Sequence, residues 1–389
     1  MLRDFEQEIK NLEARHLRRQ LRIAESPADT TITFEGRRFI CMASNNYLGL
    51  ANHPAVKRAA IEAIEQWGVG AAAARLISGT MTPHDQLEQE LAQYKQVEAT
   101  LTFGTGYTTN LGLIPALIDR NGLILADRYC HASLIEACRL AKAILRVFHH
   151  NDVEHLEKLL KKREKAQPTL VVTEGIFSMD GDLAPFPDLL TLCQQHEATL
   201  VVDDAHGTGV MGKNGRGTIE HFGLNPQDVI QMGTLSKAIG TGGGYIAGTA
   251  DLKEYLLNTA KAFLYTTAQP PAIAAAASAA IRIIQHEPAR REKLWKNRDT
   301  LHTALTGLGF QLTETQSPIL PIIVKSSETA LKMSQALYDA GIYVPAIRPP
   351  TVPKNSSRLR LTVSSEHTEE QLETVVTAFR KTGKKTAAI

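Results

Sequence analysis

The sequence predicts an α/β fold: a mainly parallel seven-stranded sheet covered by helices, with a smaller α+β C-terminal domain. Seven short apolar runs, ATLTF, GLILAD, AILRVF, TLVVTE, TLVVDD, DVIQMG and GGYIAG, follow one another between residues 99 and 248. Helical segments lie between most of them, and buried strands alternating with helices form parallel sheets covered on both faces. After an alanine-rich helix near 271–286 the alternation slackens. A further helix, the strand-like runs FQLTE, ILPIIV and RLRLTV, and two more helices follow. The expected division is 1–50 (N-terminal helix and short strands), 51–286 (large cofactor-binding domain) and 287–389 (small C-terminal domain).

Taken in order, Leu2, Phe5, Ile9 and Leu12 recur at helical spacing. The first two dozen residues therefore read as one amphipathic helix, ended by Pro27. TITFEGRRFICMAS reads as two short strands around Glu35-Gly36. HPAVKRAAIEAIEQWG is a helix that stops at Gly68. DQLEQELAQYKQ is another, following Asp85, whose side chain is expected to cap it. The tail KTGKKTAAI is expected to be disordered.

Of the 389 residues, 43% are hydrophobic and 22% charged, and the net charge is +2. That is ordinary for a soluble globular chain and implies no nucleic-acid partner. The basic stretch 15–22 reads as a solvated helix face. Cys41, Cys130, Cys138 and Cys193 show no C-x-x-C spacing, so no metal site is expected, and they read as reduced thiols of a cytoplasmic protein. MLRDFEQEIK lacks the apolar core of a signal peptide, and the alanine-rich run 271–284 is too weak to span a membrane.

In parallel α/β sheets ligands bind beyond the carboxyl ends of the strands, and here the informative residues follow the strands. TLVVDDAHGTG delivers Asp203 and His206 to that edge. Alone, the two aspartates are more often caps for the next segment. A half-buried carboxylate nevertheless needs a cationic or hydrogen-bonding partner, and a protonated pyridine nitrogen is one. DVIQMG is followed by Thr234, Leu235, Ser236 and Lys237, then by GTGGG. A lysine past a buried strand is usually a surface residue. Flanking hydroxyls and open amides suit a phosphate, however, and together these are the parts of a pyridoxal 5′-phosphate (PLP) site. Lys237 would be the Schiff-base lysine, which must be neutral to react. LTFGTGYTTN offers the amides of Gly106 and Tyr107 at a helix start. ADRYCHASLIEA places His131 after a strand, to cap a helix or to lie on an aromatic ring. VVTEGIFSMDGD carries Glu174 and Ser178.

Two matches point elsewhere. Residues 207–212, GTGVMG, fit the dinucleotide fingerprint G-x-G-x-x-G, and GTGVMGKN nearly fits an NTPase P-loop. The latter has Asn214 where a magnesium-binding hydroxyl belongs. Gly215, Arg216 and Gly217 then follow, where both motifs need a helix. Neither reading is retained.

The motifs SNNYLGL, HASL, VVTEGIFSMDGD, VVDDAHGTGVMG and TLSKAIG resemble those of the α-oxoamine synthases, PLP enzymes of the type I aminotransferase fold. The resemblance spans residues 12–372. It implies that Lys237 holds the cofactor, Asp203 faces its ring nitrogen and His206 its phenolic oxygen. It also implies that His131 stacks on the ring, takes part in catalysis and contacts substrate, and that Ser178 touches the cofactor. Gly106, Tyr107 and Thr234 would bind phosphate. Arg22, Asn45, Thr351 and Arg360 match substrate contacts, Arg360 that to the amino-acid carboxylate. Thr266 and Thr267 would reach the phosphate of a neighbouring subunit, because family sites lie at a homodimer interface. The turn AIRPPTVP followed by RLRLT most resembles the biotin-pathway member, which joins L-alanine to a pimeloyl thioester with loss of CO₂. A glycine-using member or another α-oxoamine synthase is the alternative, and a non-catalytic PLP-binding regulator a remote one. VGAAAARLISG departs from the family, with alanines where glycine and serine are usual, which bears on acyl-chain preference.

Overall fold

The computed structural model describes residues 3–15 and 17–386. Along the chain the elements are α1 (Phe5–Ala14), β1 (Thr31–Phe34), β2 (Arg37–Cys41), α2 (Pro54–Trp67), α3 (Thr82–Lys95), β3 (Ala99–Phe103), α4 (Gly106–Leu117), β4 (Leu123–Asp127), α5 (Ala132–Leu140), β5 (Ile144–Phe148), α6 (Val153–Lys161), β6 (Thr169–Glu174), α7 (Phe186–Gln195), β7 (Thr199–Asp203), α8 (Thr218–His221), β8 (Ile230–Thr234) and β9 (Gly244–Gly248). The remainder comprises α9 (Ala250–Thr259), α10 (Lys261–Leu264), α11 (Pro271–His286), α12 (Ala289–Gly307), β10 (Ile319–Lys325), α13 (Ser327–Asp339), β11 (Ile342–Tyr343), β12 (Ala346–Ile347), β13 (Ser357–Thr362) and α14 (Glu369–Thr386).

Seven strands form one sheet in the order β3-β9-β8-β7-β6-β4-β5. β9 alone runs against its two neighbours; the other pairings are parallel. Strand periodicity splits the side chains between two cores. Ile124 and Ala126 of β4 join Leu113 and Leu134 on one face, while Leu123 and Leu125 join Leu156 and Leu189 on the other. The chain leaves β4 for β5 at the edge and returns to β6 on the opposite side of β4. That reversal opens a crevice between the loops after β4 and β6, where such sheets hold ligands.

In the C-terminal part, β10, β13 and β12 form an antiparallel sheet, and β11 extends the β1–β2 hairpin through a parallel pairing with β2. β13 is buried along its length although it reads SRLRLT. Alternation accounts for this: Leu359 and Leu361 enter the core, while Arg358 and Arg360 turn toward residues 177–182.

Four local expectations are corrected. The first helix ends at Ala14, and most of 17–30 is irregular chain. Its apolar positions Phe5, Ile9 and Leu12 are exposed, so no core holds a longer helix together; Leu2 lies outside the described residues. α3 begins before Asp85, which sits in its first turn and accepts from Gln89, because Pro83 is well placed at a helix start. FQLTE makes only an isolated bridge, Leu312 with Ile322, rather than a strand. The tail is helical through Thr386 because Phe379, Thr382 and Gly383 pack inward; residues 387–389 lie outside the description. No helix of the described residues is long and apolar enough to cross a membrane.

Candidate active site

β7 ends at Asp203, Asp204 follows it directly, and the two side chains meet opposite fates. Asp204 is fully buried beside Lys95, 3.4 Å away, and accepts from the Thr218 amide and hydroxyl. Asp203 faces the crevice. Its carboxylate accepts from Asn110 Nδ2 at 2.9 Å and from the Ala205 amide at 3.1 Å. The same Asn110 nitrogen donates to Ser133 Oγ at 2.9 Å, which lies 2.8 Å from His131 Nδ1. Asp203, Asn110, Ser133 and His131 thus form one network, fixed by the starts of α4 and α5.

His131 caps α5, and its amide donates to the buried carboxyl of Glu174 at the end of β6. Burial pushes the Glu174 carboxyl well above the usual carboxylate range, and the neighbouring Asp203 pushes the same way. Burial also lowers His131, with Asp203 opposing and Lys237 assisting. Lys237 projects from the loop between β8 and β9. Burial draws its amine down to about 8, against the pull of Asp203 and Glu174. A lysine so placed is neutral often enough to act as nucleophile or base.

Thr234 and Ser236 hydroxyls lie 2.9 Å apart, and Thr234 donates to the Gly243 carbonyl at 2.9 Å. Opposite stands the N-terminus of α4, whose Thr105 side chain caps the Thr108 amide. The amides of Gly106 and Tyr107 have no helical partner one turn back. A Cβ at Gly106 would be a tight fit, 3.1 Å from Met232 Cε and 3.3 Å from Thr234 Oγ1. The Tyr107 hydroxyl donates to Glu136, and its ring stands edge-on to His131 at 6.5 Å.

Gly106, Tyr107, His131, Glu174, Asp203, His206, Thr234, Ser236 and Lys237 line one cavity of about 250 Å³. It has an anion cradle at one end, a carboxylate and a histidine face in the middle, and an amine. That donor set fits PLP: amides and hydroxyls for the phosphate, Asp203 for a pyridinium, Lys237 for the carbonyl carbon.

A second group adjoins it. Arg360 donates from Nε to the Ser178 carbonyl and from its terminal nitrogens to Asn45 Oδ1, at 3.4 and 3.3 Å. The Tyr47 hydroxyl lies 3.3 Å from the same Asn45 oxygen and 2.8 Å from His206 Nδ1. Burial, with the charges of Lys237 and Arg360, holds His206 well below its ordinary value, so it is a neutral imidazole.

Four predicted residues stand apart within the single chain. Arg22 lies over the Tyr338 ring, 4.4 Å from its centroid, in a groove of about 530 Å³. Thr351 bonds Arg19 at 3.3 Å nearby. Thr266 and Thr267 are exposed in a separate depression beside Arg75 and Phe263. Conversely, Asn110, Ser133 and Tyr47 belong to the site without having been singled out, and Glu174 was noted at its strand end without a role. Glu174 and Tyr47 lie inside the motifs already noted; Ser133 follows His131 by two; Asn110, inside α4, carried no signal of its own. The fingerprint-like residues 207–212 form turns with positive φ at Gly209 and Gly212 and are followed by only the single-turn α8, so no helix presents itself to a phosphate there. His149, Asp152 and His155 bring one potential ligand atom each within 4.8 Å of one another. Asp152 caps α6 through the His155 amide, and His155 Nδ1 accepts from the His149 amide, which accounts for their clustering.

The aminotransferase class I and II family model matches residues 37–379. Fold, site and match together define the chain as a PLP-dependent enzyme belonging to the class I and II aminotransferase family. Within it, the chain stands among the α-oxoamine synthases. It is 44% identical over 383 residues to an 8-amino-7-oxononanoate synthase of Thermoanaerobacter pseudethanolicus, covering 98% of this chain and 97% of that one. A serine palmitoyltransferase solved with a PLP internal aldimine superposes with a TM-score of 0.95 at 34% identity, covering 99% of this chain and 98% of that one. An 8-amino-7-oxononanoate synthase structure from Francisella tularensis gives 0.78 at 27% identity, over 90% and 99%.

Proposed function

We propose that this protein condenses L-alanine with a pimeloyl thioester, releasing CO₂ and the thiol carrier, to form 8-amino-7-oxononanoate in biotin biosynthesis. The observation that carries it is the full-length identity of 44% to a synthase so named, joined to a cavity in which Lys237, Asp203 and His131 converge. Bound PLP supplies an electrophilic carbonyl and a ring that accepts the electron pair released at the amino-acid Cα.

The chain's own residues do the rest. The amides of Gly106 and Tyr107, with Thr234, hold the phosphate. Asp203, kept in place by Asn110 and Ala205, keeps a proton on the ring nitrogen. His206, held by Tyr47, faces the phenolic oxygen, and Ser178 contacts the cofactor beside it. His131 covers the ring face and approaches the substrate. Arg360, backed by Asn45, takes the alanine carboxylate by a charge-assisted bond. Lys237, drawn toward neutrality, removes the proton from the substrate Cα; its amine is free at that moment.

The same reading places the active unit in a homodimer with shared sites. Thr266 and Thr267 lie outside their own cavity; Tyr265, which precedes them, and Ile77, three residues after the Ala74 that bridges Thr267, are each left 81% exposed. Both support a partner subunit on that face. Arg22 and Thr351 complete the acyl-substrate end of the site. A cytoplasmic location, and a division at 50 and 286, belong to the proposal.

The test is a comparison of substrate pairs. Alanine with pimeloyl thioester should release thiol faster than glycine with acetyl-CoA or serine with palmitoyl-CoA. A faster reaction with either other pair overturns the assignment.

A further inference from the structure

His150 follows β5 outside the cavity, yet it is bonded to both loops that form the crevice. Nδ1 lies 3.0 Å from Asp127 Oδ1 at the end of β4, and Nε2 lies 2.8 Å from Asp182 Oδ2. A neutral imidazole has one N–H, so one of these contacts would set a lone pair against a carboxylate. Only the imidazolium satisfies both. Asp127 is fully buried, and among the described residues His150 is the only ion-pair partner of either carboxylate. Asp127 also accepts from the amides of Tyr129 and Asn151, and Asp182 from the Asn151 side chain. The ring packs against Tyr129 at 4.4 Å and edge-on to Phe177 at 4.3 Å.

Each contact leads to the site. Tyr129 stands two residues before His131. Phe177 precedes Ser178, whose carbonyl receives Arg360. The amide of Phe177 donates to the Asp182 carbonyl at 3.1 Å, closing 177–182 into a tight turn. Arg358 holds the far side of that turn through Asp180.

We propose that His150, as an imidazolium, is a positioning residue that pins the 177–182 turn and the 128–131 loop to the end of β4, and so sets Arg360 and His131 in register with the cavity. This rests on the proposed function only for the identity of the amino acid. His150→Gln removes the cation and leaves two carboxylates facing an uncharged group, an uncompensated arrangement. A displacement of about an ångström in the groups it holds is enough to cost ~10- to 100-fold.

The experiment measures PLP affinity of the apoprotein, the amino-acid dissociation constant from the absorbance change of the loaded protein, and KM and kcat, all below the melting temperature. His150→Gln is expected to weaken PLP and amino-acid binding by ~10-fold or more. The pair His150→Gln/Asp182→Asn should recover part of that loss, since one of the two unneutralised charges is gone. A folded His150→Gln protein with both affinities within about twofold of the parent, whatever its melting temperature, overturns the proposal. If His150→Gln does not fold, Asp182→Asn alone carries the test, with the same two affinities expected to weaken. Binding is read with any amino acid that perturbs the spectrum, so a failed alanine assay would sink the substrate assignment while leaving this test intact.

Discussion

Glu174 and Asp203 stand opposite one another on adjacent parallel strands, two buried carboxyl groups at one sheet edge. They divide the work because their surroundings differ. Asp203 accepts two hydrogen bonds from an amide side chain and a backbone amide. Glu174 lies deeper beside it and is pushed toward its protonated form.

Glu174→Gln should therefore be tolerated, because glutamine reproduces a neutral carboxyl that accepts from the His131 amide. PLP binding and turnover within about threefold of the parent are expected. Glu174→Ala leaves that buried amide without its acceptor, at about 1–3 kcal/mol, and should lower kcat more than the glutamine variant does. If the two variants are equally impaired, the carboxyl must ionise.

The Lys237 amine sets a second expectation. Its pKa, drawn down by burial to about 8, predicts that PLP uptake by apoprotein accelerates with pH and levels off above that value. Stopped-flow absorbance would show it. Lys237→Ala should give no adduct that borohydride can fix; one that still formed would place the Schiff base elsewhere.

Lys95 and Asp204 make a buried pair beneath the site, at 3.4 Å. Lys95→Met removes the cation and strands Asp204 among the Thr218 donors. Breaking such pairs typically costs about 3–5 kcal/mol, so a clear drop in melting temperature is expected. A smaller loss in Lys95→Met/Asp204→Asn would confirm that the stranded charge is responsible.

His150 gives a pH signature. Burial lowers its pKa, but the hydrogen bonds to Asp127 and Asp182 outweigh this and raise it to about 9. A histidine raised above its unfolded value of about 6.5 stabilises the fold fully below that value. The contribution is lost as pH climbs through the folded one. The melting temperature of the parent should fall between pH 7 and 10 more steeply than that of His150→Gln. Parallel curves would show that the ring is not charged.

The sheet was legible because its strands are short apolar runs separated by helices, and the cavity because the residues that line it stand at or just after the ends of such runs. Alternation also separates Asp203 from Asp204, although which of the two faces the cavity depends on packing. What escaped were contacts between residues distant in the chain. Arg360 meets Ser178 from 182 positions away, and Tyr47 meets His206 from 159. No local pattern encodes those meetings. The first helix was overextended for a related reason: its spacing is correct, but no core receives it. Thr266 and Thr267 stand outside the cavity of their own chain, and the role proposed for them needs a second subunit.

The reversed strand β9 has one more effect. Parallel neighbours must be joined by a long crossover, but β8 and β9 are antiparallel, so residues 235–243 need only fold back. Their ends are stitched by the Leu235 amide to the Gly243 carbonyl and the Thr241 amide to the Leu235 carbonyl. Lys237 therefore rides on a short clasp anchored at both feet. Its amine is delivered to one spot by chain topology, and whatever reach it has during turnover must come from its four methylenes.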